Sequence, residues 1–170
     1  MLSGAILMAH ETGAIAFEKM TLGSLATWLI LIAFGIKCAF PFMHNWLQDA
    51  YPEATVTGTV FLSAFTTKCA VYALARGFPG TELLIYVGAA MTAFPIFYAV
   101  IENDLRRVLA YSLNNQLGFM VVGVGIGTPP ALNASAANAI THILYKARRL
   151  TSLCSFMYTA CTSTGQRPQR

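Results

Sequence analysis

Three observations predict an all-α integral membrane protein of about five helical spans. Of the 170 residues, 56% are hydrophobic and only 11% charged, where a soluble domain carries roughly 25% charged residues. Mean hydropathy is +0.57. Apolar stretches of about twenty residues, the length that crosses the hydrocarbon as a helix, alternate with short polar or Pro/Gly-containing turns.

Taken in order, residues 1–21, with His10, Glu11, Glu18 and Lys19, are read as an extramembrane lead-in with at most a short amphipathic turn or two. The first span covers residues 22–47. No charge occurs before Lys37, and Pro41 lies four residues further on. Proline removes a backbone hydrogen bond and clashes with the carbonyl four residues back, here that of Lys37, so a break is predicted near Pro41. A polar turn at 49–53 leads to a second span, 54–75, with Lys68 in its second half. The turn residues Arg76-Gly-Phe-Pro-Gly80 close it. The third span, 82–101, contains Pro95 and has no charge after its first residue. Glu102-Asn-Asp-Leu-Arg-Arg107 must lie in water or headgroups, with Asp104, Arg106 and Arg107 expected as an ion-pair cluster. The fourth span, 108–126, holds the polar patch Tyr111-Ser-Leu-Asn-Asn-Gln116 and stops at Thr128-Pro-Pro130. The fifth begins near Ala131, carries Asn138, Thr141, His142 and Lys146, and gives way at Arg148-Arg149 to a divergent polar tail, 148–170.

Five spans put the chain ends on opposite sides. Arg106, Arg107, Arg148, Arg149, Arg167 and Arg170 share one side, which the positive-inside rule assigns to the cytoplasm. The reading is therefore a multi-pass protein of the cell inner membrane, N-terminus outside and C-terminal tail cytoplasmic.

A net charge of +4, with no Lys/Arg-rich run, argues against nucleic acid as a partner. The four cysteines, Cys38, Cys69, Cys154 and Cys161, form no CxxC pair or Cys/His cluster, and His44 and His142 have no haem or metal spacing. No metal or cofactor is expected. A redox enzyme is disfavoured on the same ground.

The buried cations carry the chemistry. A charge at the bilayer centre costs about 3 kcal/mol on insertion scales and marks an ion or proton pathway by default. Lys37 and His44, seven residues and so nearly two helical turns apart (about 10 Å), are placed on one face. A broken helix beside them would expose carbonyls to a hydrated cavity. Lys68 stands near mid-depth beside Thr66 and Thr67. Asn138, His142 and Lys146 follow at four-residue spacing, a polar stripe on one face. Lys37, His44, Lys68, His142 and Lys146 are thus candidate stations of a proton relay. The competing readings are structural: Lys37 paired with a carboxylate of another helix, His44 interfacial, Lys68 snorkelling, Lys146 approaching the interface, and the Tyr111–Gln116 patch acting as interhelical glue.

At these residues a family pattern is visible. Lys37-Cys-Ala-Phe-Pro-Phe-Met-His44-Asn-Trp-Leu-Gln-Asp49-Ala resembles the Lys-x-x-x-Pro-x-x-His-x-Trp-Leu-Pro-Asp-Ala stretch of the proton-translocating antiporter-like membrane subunits. These subunits occur in respiratory complex I and in multisubunit Mrp-type Na+/H+ antiporters. Leu62-Ser-Ala-Phe-Thr-Thr-Lys68 is similar to the family's next helix, Asn103-Asp-Leu-Arg-Arg-Val-Leu-Ala-Tyr-Ser112 to its charged loop, and His142-Ile-Leu-Tyr-Lys-Ala147 to its His-x-x-x-Lys-Ala helix. The resemblance implies a bundle of about fourteen helices with inverted repeats, each holding a broken helix. It makes Lys37 the central proton-accepting lysine, Lys68 the next station, His142 a relay histidine and Lys146 the lysine one turn beyond. It also implies other membrane subunits as partners, and protons with Na+ as cargo in the Mrp-type assembly, the D-type subunit being nearest. Alternatives are a proton-pumping subunit of complex I or a related hydrogenase, with electron transfer left to other subunits, or a non-conducting fragment. Gln48 stands where the family has Pro, and Arg148-Arg149 where it has apolar residues. The glutamate partner of the central lysine and the second broken helix have no counterpart here, so the stretch reads as an interior segment of a longer subunit.

Overall fold

The computed structural model describes the backbone of residues 1–13 and 17–164; side chains at 52, 56–57, 105–106, 153–154, 157–158 and 160–164 lie outside the described set. Every regular element among the described residues is helical. In order they are α1 (Leu2–Thr12), α2 (Leu25–Lys37), α3 (Asn45–Glu53), α4 (Val56–Phe61), a π-helical turn (Leu62–Thr66), α5 (Thr67–Gly77), α6 (Glu82–Ile101), α7 (Leu105–Ile126) and α8 (Pro129–Thr164).

Two of these differ from the sequence expectation, the lead-in and the tail, while the first span is interrupted near Pro41 as expected. The lead-in contains a three-turn helix, α1, whose Gly4 packs so closely on α2 that a Cβ there would meet Ile30 at 2.9 Å and the Ala26 carbonyl at 3.1 Å. Phe17 and Met20 then fold back, with a 5.8 Å edge contact from Phe17 to Phe34 and a 2.7 Å bond from the Met20 amide to the Gly77 carbonyl. The first span is two helices, α2 and α3, separated by residues 38–44. The 148–170 tail begins inside α8, which passes through Arg148-Arg149 to Thr164 without interruption. Among the described residues, two helices, Gly58–Gly77 and Glu82–Ile101, are long and apolar enough to cross a membrane, and Leu25–Lys37 is a shorter apolar helix. The others fall short for physical reasons: the break shortens α2, the polar patch dilutes α7, and basic residues dilute α8.

The core is built around α7. Leu113, Leu117, Met120, Val121 and Val124 are at most 1% exposed and pack between α3, α5, α6 and α8. α6 lies antiparallel on α7 at backbone contact: a Cβ on Gly88 would meet the Gly118 carbonyl at 2.8 Å, and one on Gly118 would meet the Gly88 carbonyl at the same distance. Small residues permit this approach where lipid supplies no hydrophobic drive between helices. The outer face of α6, with Tyr86, Phe97, Val100 and Ile101 all at least 70% exposed, is apolar and suited to lipid.

Candidate functional site

α2 ends at Lys37 in a Schellman motif. The Phe40 amide donates to the Gly35 carbonyl at 3.0 Å and the Ala39 amide to Ile36 at 3.2 Å, with Ala39 left-handed at φ 60°. Phe42 is left-handed as well, at φ 68°. Non-glycine residues held there cost on the order of 1–3 kcal/mol each and cluster at functional sites. Pro41 accounts for the register: the helix stops at Lys37, whose carbonyl proline would have left unbonded. The break therefore covers 38–44, and the expectation that Lys37 and His44 share one helical face is corrected. The 3.6-residue period does not run through it.

Lys37 is half-buried, with Nζ 5.0 Å from the Trp46 ring centroid. Trp46 Nε1 donates to the Ile36 carbonyl at 2.9 Å, so one indole clamps both sides of the break. Substitution Trp46→Ala removes that bond and the cation–π contact, and a loss of about 1.5–3 kcal/mol is expected. A thermal melt of the purified protein checks it; an unchanged midpoint would sink the clamp. His44 caps α3 and lines a cavity of about 140 Å³ with Pro41, Phe42, Phe94, Pro95 and Asn114. His44 Nδ1 and Asn114 Oδ1 are buried there without a hydrogen-bond partner.

The other three candidates come together. Lys68, His142 and Lys146 are 7%, 0% and 1% exposed and lie within electrostatic reach of one another. The π turn prepares the first position. Ser63 and Thr66 hydroxyls donate back to the Val60 and Leu62 carbonyls, the kind of side-chain competition that disturbs an α ladder. The widened turn leaves the Ser63 carbonyl to accept from Lys68 Nζ at 2.6 Å, and Thr67 Oγ1 accepts from the same ammonium at 3.4 Å. Lys146 Nζ donates across helices to the Leu109 carbonyl of α7 at 2.8 Å. A narrow crevice beside Lys146 is lined by Tyr51, Ser63 and Leu113. His142 meets the Tyr145 ring edge-on at 5.1 Å, and both its ring nitrogens lack a partner. Among the described residues no carboxylate lies within ion-pair distance of Lys68 or Lys146.

Lys68 and Lys146 are thus buried among helices rather than exposed on the outer face. Within the charged loop, Arg107 pairs with Glu102 at 4.0 Å and the Asp104 amide donates to Glu102 at 3.4 Å, so Glu102 is a carboxylate the sequence reading missed. The Arg106 side chain lies outside the described residues. Cys38 is buried and Cys69 exposed; Cys154 and Cys161 lie outside the described side chains. Tyr51 and the carbonyls of Ser63 and Leu109 were also missed, since backbone acceptors carry no residue-type signal.

Among the described residues the chain is thus an all-helical bundle with a broken apolar helix and two lysines, Lys68 and Lys146, sequestered between helices without a carboxylate partner. Residues 1–166 match the family described as NADH:quinone oxidoreductase/Mrp antiporter, transmembrane, and the chain belongs to that membrane-embedded family. It is 33% identical over 133 residues to NADH-quinone oxidoreductase subunit N of Desulforudis audaxviator, covering 72% of this chain and 26% of that protein. With F(420)H(2) dehydrogenase subunit L of Methanosarcina mazei it shares 32% identity over 159 residues, 88% of this chain and 23% of that one. A chain in the structure of the Mrp complex from Dietzia sp. superimposes with a TM-score of 0.82 at 28% identity, over 89% of this chain and 31% of its own length. The chain spans about a quarter to a third of the length of these relatives.

Proposed function

We propose that this chain relays protons through Lys68, His142 and Lys146, with Lys37 and His44 as stations at the helix break, inside a multisubunit membrane complex. The observation that carries the reading is the cluster itself. Three titratable side chains lie between helices, the two ammoniums held by backbone carbonyls and His142 without a partner, and no carboxylate among the described residues neutralises the lysines. A buried ammonium with only neutral acceptors can release its proton at far less cost than one in an ion pair. The first reading is exchange of protons for Na+ in an Mrp-type assembly, which the likeness to the Dietzia chain supports. The second is a proton-pumping subunit of an NADH- or F(420)H(2)-oxidising complex, supported by the sequence relatives. In either, five spans with the N-terminus outside and Arg148 and Arg149 of α8 on the cytoplasmic side fit the charge distribution, and electron transfer belongs to other subunits.

The test is proton movement in inverted membrane vesicles carrying the chain within its assembled complex, followed with a pH-sensitive dye. Acidification changes on adding Na+ support the first reading and on adding a reduced nicotinamide the second. Lys37→Ala and Lys68→Ala should each lower the rate by at least about a hundredfold, the usual weight of a positioned proton-transfer group. Undiminished transport in both variants would sink the relay.

A further inference from the structure

Beside Lys146, on the outer side of α8, is a feature the relay does not use. Val108 and Leu109 of α7 and Tyr145, Arg148, Arg149 and Phe156 of α8 line an open groove of about 650 Å³. Its depth is fixed by α6, a twenty-residue apolar helix that ends at Ile101 just before the charged loop. Val108 stands one turn into α7, so the groove opens about 5 Å below that loop, at the hydrocarbon–headgroup boundary. Both guanidiniums are exposed, and among the described residues no carboxylate neutralises either of them. Arg149 lies 5.2 Å from the Tyr145 ring centroid, which holds its fork against the groove wall. Val108, Leu109 and Phe156 leave the rest of the wall apolar.

We propose that this groove binds an anionic phospholipid. Arg148 and Arg149 take the phosphate, for which the planar guanidinium fork is suited, and the upper acyl carbons lie along Val108 and Leu109. Charge complementarity selects this occupant: two uncompensated cations at headgroup depth attract anionic lipid by about 1 kcal/mol each, and the apolar wall disfavours a free anion. The site adjoins the relay: Tyr145 touches His142, and Leu109 supplies the carbonyl that holds Lys146.

The experiment uses the assembled complex, delipidated in neutral detergent and titrated with phosphatidylglycerol, phosphatidylcholine of equal chain length, or inorganic phosphate. Bound lipid is counted by native mass spectrometry, and access to the groove is read from maleimide labelling of a Ser152→Cys variant. Phosphatidylglycerol should bind and slow labelling while the other two do neither. The Arg148→Gln/Arg149→Gln variant should bind it about thirtyfold more weakly, the factor expected for two basic contacts. Equal protection by phosphatidylcholine overturns the proposal, as does protection by phosphate alone. So does a Ser152→Cys site unreactive in the lipid-free complex, which would mean that another protein segment covers the groove. Unchanged binding by the double variant does the same. The lipid selectivity of the unmodified protein decides the question even if the double variant fails to assemble.

Discussion

Lys146→Arg is expected to cut proton translocation at least about a hundredfold although it keeps the positive charge in place. The guanidinium does not give up its proton in proteins, so the substitution separates a proton carrier from an electrostatic anchor. Lys146 is 1% exposed and donates to the Leu109 carbonyl at 2.8 Å, with Lys68 and His142 within electrostatic reach. Replacing it by Met keeps the volume and removes a desolvated cation. Exchanging buried charges for apolar groups of similar size is often neutral or stabilising, by about 1–4 kcal/mol. Lys146→Met should therefore melt no lower than the parent while transporting as poorly as Lys146→Arg. Because stations in series fail together, Lys68→Met combined with Lys146→Met should cost hardly more than either alone. Vesicle transport rates and thermal melts of the four variants check this. Full transport by Lys146→Arg would leave Lys146 a structural cation.

How much of this was legible in the sequence differs from residue to residue. The α6 boundaries were read correctly because charged and turn residues flank twenty apolar ones, and Lys68 and Lys146 stood out because an amine in an apolar helix needs a reason. The break was legible from Pro41, since proline acts on the residue four positions back. Its geometry was not: left-handed Ala39 and Phe42 are residue types that ordinarily avoid that region, so composition pointed the wrong way. The helical-face argument joining Lys37 to His44 failed for the same reason, because it assumed a period that the break interrupts. α1 was missed because its apolar positions are mixed with His10 and Glu11 and its packing partner, α2, is a tertiary neighbour. The π turn left a faint trace in Ser63, Thr66 and Thr67, which compete with the backbone for hydrogen bonds. The meeting of Lys68 with Lys146 left none, because it depends on how α8 crosses the π turn.

Gly88→Ala should disrupt both the packing of α6 on α7 and transport. A Cβ built on Gly88 meets the Gly118 carbonyl and the Val122 amide nitrogen, both at 2.8 Å. Those are backbone atoms inside a helix, so they cannot swing aside as a side chain would. Relief requires α6 and α7 to separate along their length, and a cost of about 3 kcal/mol or more follows from overpacking at a rigid contact. The displacement would also reach the site. Ala90, Met91, Phe94 and Pro95, within two turns of Gly88, share the cavity with His44 and Asn114, and α7 carries the Leu109 carbonyl that holds Lys146. Transport should fall together with the melting temperature, unlike Lys146→Met, where only transport falls. Gly23→Ala is the matched control, since nothing lies within 4 Å of its added carbon. If Gly88→Ala melts with the control, the two helices are not held at backbone contact, and α7 cannot owe its position to α6.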